Sequence, residues 1–542
     1  MKKSILLLLL LFIAPVFAFS QIQENPKPKL IVGIVVDQMR YDYITRYWNK
    51  FGENGFRKLV KEGFNCSNTH YNYVPTYTGP GHTSIYTGTT PASHGIISNS
   101  WYSRSAGREI YVTEDAEVNS VGTDNTSGKM SPVQLLSTTI SDEIRVASNF
   151  RSKVVGIALK DRSAILPAGR SANAAYWFDA LSGNWISSSW YMKTLPDWVV
   201  QFNDRKLPAG YMQQPWNTLL PIDQYSESTA DDVPYEEPFP GETKPVFPHN
   251  FPVISAGKYD LLKSSPYGCN LTREFAVAAM KAEQLGKDEF TDMLAVSFSS
   301  PDYVGHQFGT HAIETEDIYL RLDLDIATLI SETEKYCGAG NVLFFLTADH
   351  AAIPNIRFLS DHKILAGQFN IAQLTDSLNK FLNSTYGTQK WVLAVDNDQV
   401  YLNHDLIAQQ KINANEVISS VKGFIKKFKG VAEVLTADDL SKGEFTFGIK
   451  SFVQKGFYGP RSGDLAFILE PGYIEYKSTG TTHGAAYTYD THVPLIFRGA
   501  GIKKGDYYGH VDITDIAPTI SQMLGIQPPN AATGKVIEAL FK

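Results

Sequence analysis

Leu30-Ile-Val-Gly-Ile-Val-Val-Asp37 is seven apolar residues, mostly β-branched, ended by an acid. An unbroken apolar run of this length, without polar alternation, predicts a strand covered on both faces, as in the centre of a parallel sheet. Three further runs repeat the pattern: Ser152-Lys-Val-Val-Gly-Ile-Ala-Leu159, Met293-Leu-Ala-Val-Ser-Phe298 and Val342-Leu-Phe-Phe-Leu346. Helical periodicity lies between them, as in Glu314 to Tyr336 with its acids early. The alternation predicts an α/β fold, with a largely parallel central sheet flanked by helices. Ligands bind such sheets beyond the carboxyl ends of the strands. Each run delivers polar residues near that place: Asp37, Lys160, Asp302 and Asp349-His350.

Outward from these runs, residues 176–275 are rich in Pro, Trp, Tyr and Gly and show little alternation. Residues 366–478 carry their own helical and strand patterns, such as Ala414 to Lys429. The expected organisation is a leader over 1–20, core over 21–175, an insertion over 176–275, core over 276–365, a cap insertion over 366–478, and core over 479–542. Both insertions are expected to cap or wall the core.

Of the 542 residues, 43% are hydrophobic and 19% charged, a globular balance that builds a large core without disulfides. A formal charge of -7 argues against non-specific nucleic-acid binding. Lys2 and Lys3, the apolar run Ile5 to Ile13, Pro15, and small-residue cleavage points ending at Ala18 or Ser20 form the pattern of a secretory signal peptide. The run is about half the ~20 residues a membrane span needs. The expected location is therefore the periplasm or the medium, without a membrane anchor. Cys66, Cys269 and Cys337 are too widely spaced for a metal cluster; one disulfide plus a thiol, or three buried thiols, both fit.

Asp302 and His306 stand four residues apart in Pro-Asp-Tyr-Val-Gly-His, which on a helix puts both on one face. Asp349 and His350 are adjacent after a strand, His483 lies in Gly-Thr-Thr-His-Gly, and Asp37 ends the first strand. Three Asp and three His suit two zinc ions, each with three protein ligands and an open position. Two metals about 4 Å apart suit phosphoryl displacement. Taken singly, a strand-end Asp is more often a cap and a lone His a satisfied polar residue; the joint placement carries the reading. Thr78, in Pro75-Thr-Tyr-Thr-Gly-Pro-Gly-His-Thr-Ser84, stands where a helix can begin and its N–H groups favour an anion. By spacing alone, an ordinary Ser/Thr-rich turn with a cap is the better reading there. Lys160-Asp161-Arg162, if extended, points both cations one way and suits a phosphoryl group, with a solvated charged turn as the alternative.

Six motifs occur in order: Ile-Val-Val-Asp37; Thr76-Tyr-Thr78-Gly-Pro-Gly-His; Thr87-Gly-Thr-Thr-Pro-Ala-Ser-His94-Gly-Ile-Ile-Ser-Asn99; Asp302-Tyr-Val-Gly-His306; Thr347-Ala-Asp349-His350; and Thr482-His483-Gly484. Together they resemble the alkaline phosphatase superfamily, on the branch shared with nucleotide pyrophosphatases/phosphodiesterases, across the whole mature chain. The resemblance implies that Asp37, Asp349 and His350 hold a zinc that activates Thr78, and that Asp302, His306 and His483 hold a zinc that stabilises the leaving oxygen. It implies a phosphothreonine at Thr78, with Asn99, Lys160 and Arg162 binding phosphoryl oxygens. No magnesium site is expected. His82 and His94 are expected to bond backbone, and Tyr487, Asp490 and Asp515 to belong to the scaffold. The implied activity is hydrolysis of small phosphate monoesters, releasing inorganic phosphate, by a monomer. A phosphodiesterase with the same zinc pair and Thr78 is the nearest rival. A sulfatase needs a Cys/Ser-x-Pro-x-Arg segment, and Thr78-Gly-Pro-Gly-His82 lacks the arginine.

Overall fold

The computed structural model describes residues 27–541 apart from 256, 476 and 477. The expected leader lies outside them. In chain order the main sheet begins with β1 (Leu30–Val36), β2 (Phe64–Cys66), β3 (Ser120–Val121), β4 (Val154–Ala158), β5 (Ala174–Asp179), β6 (Asn184–Ser188), β7 (Asp292–Phe298) and β8 (Val342–Thr347). A second sheet follows, made of β9 (Val392–Asp396), β10 (Gln399–Leu402), β11 (Val431–Thr436) and β12 (Leu465–Leu469). Then β13 (Leu495–Gly499) and β14 (Gly505–Tyr507) complete the main sheet, whose spatial order is β14-β2-β13-β8-β1-β7-β4-β5-β6-β3.

The central block β8-β1-β7-β4-β5 is parallel throughout, while β13 and β6 border it antiparallel. All seven residues of β1 are buried, as the unbroken run requires. At about 1.5–3 kcal/mol for each fully buried large aliphatic side chain, this strand cannot be moved to an edge without a large loss. Helices α1 (Thr78–Thr87), α2 (Asp161–Ala168), α3 (Pro266–Ala282), α4 (Ser300–Phe308) and α5 (Ile313–Cys337) flank the sheet, α1 packing on α2 and α3 on α5. The consequence for function is that β8, β1, β7 and β4 are neighbours with their carboxyl ends on one side. Polar residues far apart in sequence are thereby delivered to one place.

The boundary expected between 175 and 176 falls inside β5, where Tyr176 and Trp177 pair with Ile157 and Ala158 of β4. β6 extends the same sheet, and α3 buries Cys269, Leu271 and Phe275 against the core. The start and end of the expected 176–275 insertion are thus part of the core. Aromatic residues favour strands, so Ala174-Ala-Tyr-Trp-Phe-Asp179 was readable as one; its Trp- and Tyr-rich surroundings hid it.

Residues 392–469 form their own sheet. With α6 (Ile371–Tyr386) and α7 (Ala414–Ile425) they enclose a separate core that includes Leu374, Leu378, Trp391, Val417, Val421 and Phe467. The three cysteines are buried, and none is in a disulfide.

Candidate active site

Asp37 follows β1 directly and is fully buried, its backbone N–H donating to the Phe298 carbonyl (3.1 Å) beside the end of β7. Asp349 and His350 follow β8 by two residues and are also fully buried. His350 Nε2 lies 3.5 Å from both Asp37 Oδ1 and Asp349 Oδ2. Among the described residues, none of these three atoms has a hydrogen-bond partner. Burial and the Asp349 charge raise the Asp37 carboxyl well above its ordinary range, and burial carries Asp349 up to about 7. Burial also pushes the His350 imidazole far down, so the ring is neutral.

Asp302 and His306 come from α4, one turn apart, with His306 Nε2 3.1 Å from Asp302 Oδ1. His483 arrives from the Gly-rich segment after the second sheet, its Nε2 3.6 Å from the same oxygen. Burial and the nearby His306 lower the His483 imidazole to about 3. Burial opposes ionisation of Asp302, yet His306 and Lys160 hold its carboxyl well below the usual range.

The three imidazoles share one device. His306 Nδ1 contacts the Thr481 carbonyl (2.8 Å), His483 Nδ1 the Thr76 carbonyl (2.7 Å) and His350 Nδ1 the Ala351 carbonyl (3.0 Å). A backbone carbonyl only accepts, so each Nδ1 carries the proton and each Nε2 offers its lone pair inward, the arrangement of a metal-ligating histidine. Ligand atoms of Asp302, His306 and His483 lie mutually within 4.8 Å, as do those of Asp37, Asp302 and His350. Two adjacent buried carboxylates with unpartnered oxygens cost several kcal/mol unless a cation compensates. The residues present therefore fit divalent metal ions. Asp302 reaches both groups, while Asp349 Oδ2, aimed at His350 Nε2, stands as the further donor beside Asp37.

Thr78 is buried and opens α1. Its segment is pinned to both groups. Thr76 holds His483 through its carbonyl, and the Tyr77 ring meets His483 edge-on (5.4 Å). Three residues into the helix, a Cβ at Gly81 would strike the Asp349 carbonyl, so only glycine lets α1 come this close. His82, fully buried, joins Nδ1 to the Thr78 carbonyl (3.0 Å) and Nε2 to Ser297 Oγ (2.9 Å) of β7. Asn99 Oδ1 accepts the Gly79 N–H (2.7 Å), which turns the amide NH2 the other way.

Lys160 is buried between the groups, Nζ donating to Asp37 Oδ2 (2.8 Å) and Asp302 Oδ2 (2.6 Å). Burial opposes its charge, but these two carboxylates keep the ammonium protonated. The extended geometry expected over 160–162 is not found: Lys160 is the residue before α2, and Arg162 lies in its first turn. Helix formation wins here because Asp161 suits a first turn and its carboxylate is held by Tyr111 Oη (2.8 Å) and Thr113 Oγ1 (2.7 Å). Arg162 Nη1 donates to Tyr111 Oη (2.9 Å). Tyr111 and Thr113 come from a stretch the sequence reading passed over, with no local signal marking them. Of the remaining residues, His94 Nδ1 accepts the Ile96 N–H (3.1 Å), and Asp490 braces the loops at Ala351 and Ala485. Asp515 accepts the backbone N–H groups of Asp512 and Lys535, and Tyr487 Oη donates to the Leu469 carbonyl.

The family model described as type I phosphodiesterase / nucleotide pyrophosphatase matches residues 31–493. The chain belongs to this family. Among relatives, it is 44% identical to a "calcium-transporting ATPase" of Myroides odoratus, each chain covered to 96%. It is 43% identical to alkaline phosphatase PafA of Elizabethkingia meningoseptica, with 94% of each covered. It is also 44% identical to alkaline phosphatase PhoV of Synechococcus elongatus, with 96% of this chain and 94% of that one covered. The crystal structure of wild-type PafA superposes with a TM-score of 0.93 at 43% identity, over 95% of this chain and 99% of that one. Within this phosphodiesterase-family fold, the polar cluster at the ends of β8, β1, β7 and β4 is the candidate active site.

Proposed function

We propose that the protein is a secreted two-zinc alkaline phosphatase that hydrolyses small phosphate monoesters through a phosphothreonine at Thr78. The observation that carries this reading is the trio Asp37 Oδ1, Asp349 Oδ2 and His350 Nε2, buried together and without hydrogen-bond partners among the described residues, beside Asp302, His306 and His483. Asp37, Asp349 and His350 would hold one zinc, and Asp302, His306 and His483 the other. Bound there, zinc supplies Lewis acidity, favouring the ionised hydroxyl and stabilising the departing oxygen.

The remaining work belongs to the chain. Thr78 opens α1; the Gly79 N–H is held by Asn99 Oδ1, Pro80 has none and the Gly81 N–H goes to the Tyr77 carbonyl, so the Thr78 N–H and the positive end of the helix dipole are what would favour an anion there. Asn99, its carbonyl oxygen fixed by Gly79, directs its NH2 to a phosphoryl oxygen. Lys160 and Arg162 supply positive charge for the others, Arg162 braced by Tyr111. Thr78 Oγ1 attacks phosphorus in line, and the bond from phosphorus to the ester oxygen breaks. Water then attacks the phosphothreonine, releasing inorganic phosphate and restoring the hydroxyl.

A diesterase would share this machinery. A monoester carries about one more negative charge at neutral pH, which Lys160 and Arg162 match, and the similarity to PafA and PhoV points the same way. An ATPase name on a relative is compatible, since the terminal phosphoryl group of ATP carries monoester-like charge. The leader pattern supports secretion. Among the described residues no helix is long and apolar enough to cross a membrane. The test is zinc content together with rates on p-nitrophenyl phosphate and bis-p-nitrophenyl phosphate, before and after chelation. Two zinc per chain and a faster, chelator-sensitive monoesterase are expected; full activity after exhaustive chelation would defeat the reading.

A further inference from the structure

Gln38 follows Asp37 and is almost fully buried. Its φ of 63° puts it in the left-handed region, which a residue with a Cβ rarely adopts because the side chain crowds the backbone. A turn alone would be better served by glycine, so the glutamine side chain must return something for the strain. Its two donors go to different halves of the site. The backbone N–H donates to Asp349 Oδ1 (3.1 Å), and Nε2 donates to Asp302 Oδ1 (2.7 Å).

The remaining amide atom is accommodated as specifically. A Cβ at Gly305 of α4 would overlap Gln38 Oε1, so Gly305 leaves the space that the amide fills. The two bonds also act on the ligand atoms selectively. Asp349 Oδ1 is occupied by the Gln38 N–H, which leaves Oδ2 without a hydrogen bond among the described residues, 3.5 Å from His350 Nε2 and 3.4 Å from His82 Nδ1. Asp302 Oδ1 takes the Gln38 amide on one side and faces His306 and His483 on the other.

We propose that Gln38 is a positioning residue that ties one carboxylate of each ligand group to a single rigid unit, fixing the orientation of Asp302 and the spacing between the two metal sites. Because its peptide bond continues from Asp37, one dipeptide governs Asp37, Asp349 and Asp302 together. Outer groups that orient ligating carboxylates change metal affinity by about 10–100-fold when removed. The effect of losing the Gln38 amide falls on the ion held by Asp302, His306 and His483, because only that bond runs through the side chain.

The inference rests on the two-zinc reading, and the experiment separates the two. Full-length protein, wild type, Gln38→Gly and Gln38→Met, is titrated with zinc against a competing chelator, and the metal-free forms are unfolded thermally. Gln38→Gly suits the left-handed backbone and so retains the fold, while Gln38→Met keeps the bulk and removes the donor. The expected result is that both variants lose zinc affinity 10–100-fold at one site and keep it at the other. The metal-free Gln38→Gly protein is expected to melt no lower than metal-free wild type. Gly305→Ala, which crowds the amide, shifts the same site in the same direction. Wild type with two zinc sites and variants that titrate identically overturn this inference alone. A wild type that binds no zinc removes the two-zinc reading and this inference with it.

Discussion

The two halves of the candidate site are built differently. Asp37, Asp349 and His350 come from the ends of adjacent buried strands, are wholly inaccessible, and present three atoms without partners among the described residues. Asp302, His306 and His483 come from a helix and a Gly-rich loop. They contact one another through Asp302 Oδ1, and the His306 side chain is 28% exposed. The first half packs two buried carboxyl groups together with Lys160 Nζ on Asp37 Oδ2 and leaves Asp37 Oδ1 and Asp349 Oδ2 without hydrogen bonds among the described residues, so a further cation would be held tightly there. The second is a partly self-satisfied cluster at the rim, and its ion should exchange more readily. Thr78 is anchored to both through the Thr76 carbonyl and the close approach at Gly81.

The largest effect is expected at Thr78, whose flanking residues Thr76 and Gly81 meet one half each. Thr78→Ala is expected to lower kcat/KM for p-nitrophenyl phosphate by about 10⁴-fold or more, with the zinc content unchanged. Retained activity would exclude Thr78 as the nucleophile. The asymmetry of the halves appears next in metal removal. Under limiting chelator, zinc should leave in two phases, the fast one from the rim half; His483→Ala should abolish the fast phase, lowering affinity there by about 10–100-fold or more. A single phase in wild type would contradict the difference drawn between the halves.

Arg162→Ala should reduce monoesterase activity about tenfold more than diesterase activity, since only the monoester brings the additional charge; equal losses on p-nitrophenyl phosphate and bis-p-nitrophenyl phosphate would remove the preference for monoesters. The smallest expected effect concerns stability. Asp349→Asn removes one of two neighbouring buried carboxyl groups, so the metal-free variant should melt about 1 °C higher than metal-free wild type, for about 1 kcal/mol in a chain of this length. With zinc present the order should reverse. Calorimetry of both forms checks the reversal.

The same contrast explains what could be read from the sequence. Strand ends are local features: the run Leu30–Val36 is the strand itself, the adjacent Asp349 and His350 follow another, and the i, i+4 pair Asp302 and His306 lies on a helix. The helical reading of Glu314 to Tyr336 falls within α5. What depended on distant chain was not legible. Gln38 takes a left-handed backbone that no glycine advertises, and its bonds reach 264 and 311 residues away. Tyr111 reaches Arg162 from 51 residues away. Lys160 to Arg162 looked extended because the apolar run before them is a strand, yet the chain turns into helix at Asp161. The carbonyls of Thr76 and Thr481 that orient His483 and His306 are backbone groups, on which sequence is silent.

Anomalous diffraction at the zinc absorption edge, on crystals of the native protein, tests the account most directly. Two peaks are predicted, one among Asp37, Asp349 and His350 and one among Asp302, His306 and His483, with Thr78 Oγ1 facing both. A single peak, or ions bound elsewhere with these side chains turned away from metal, would contradict it.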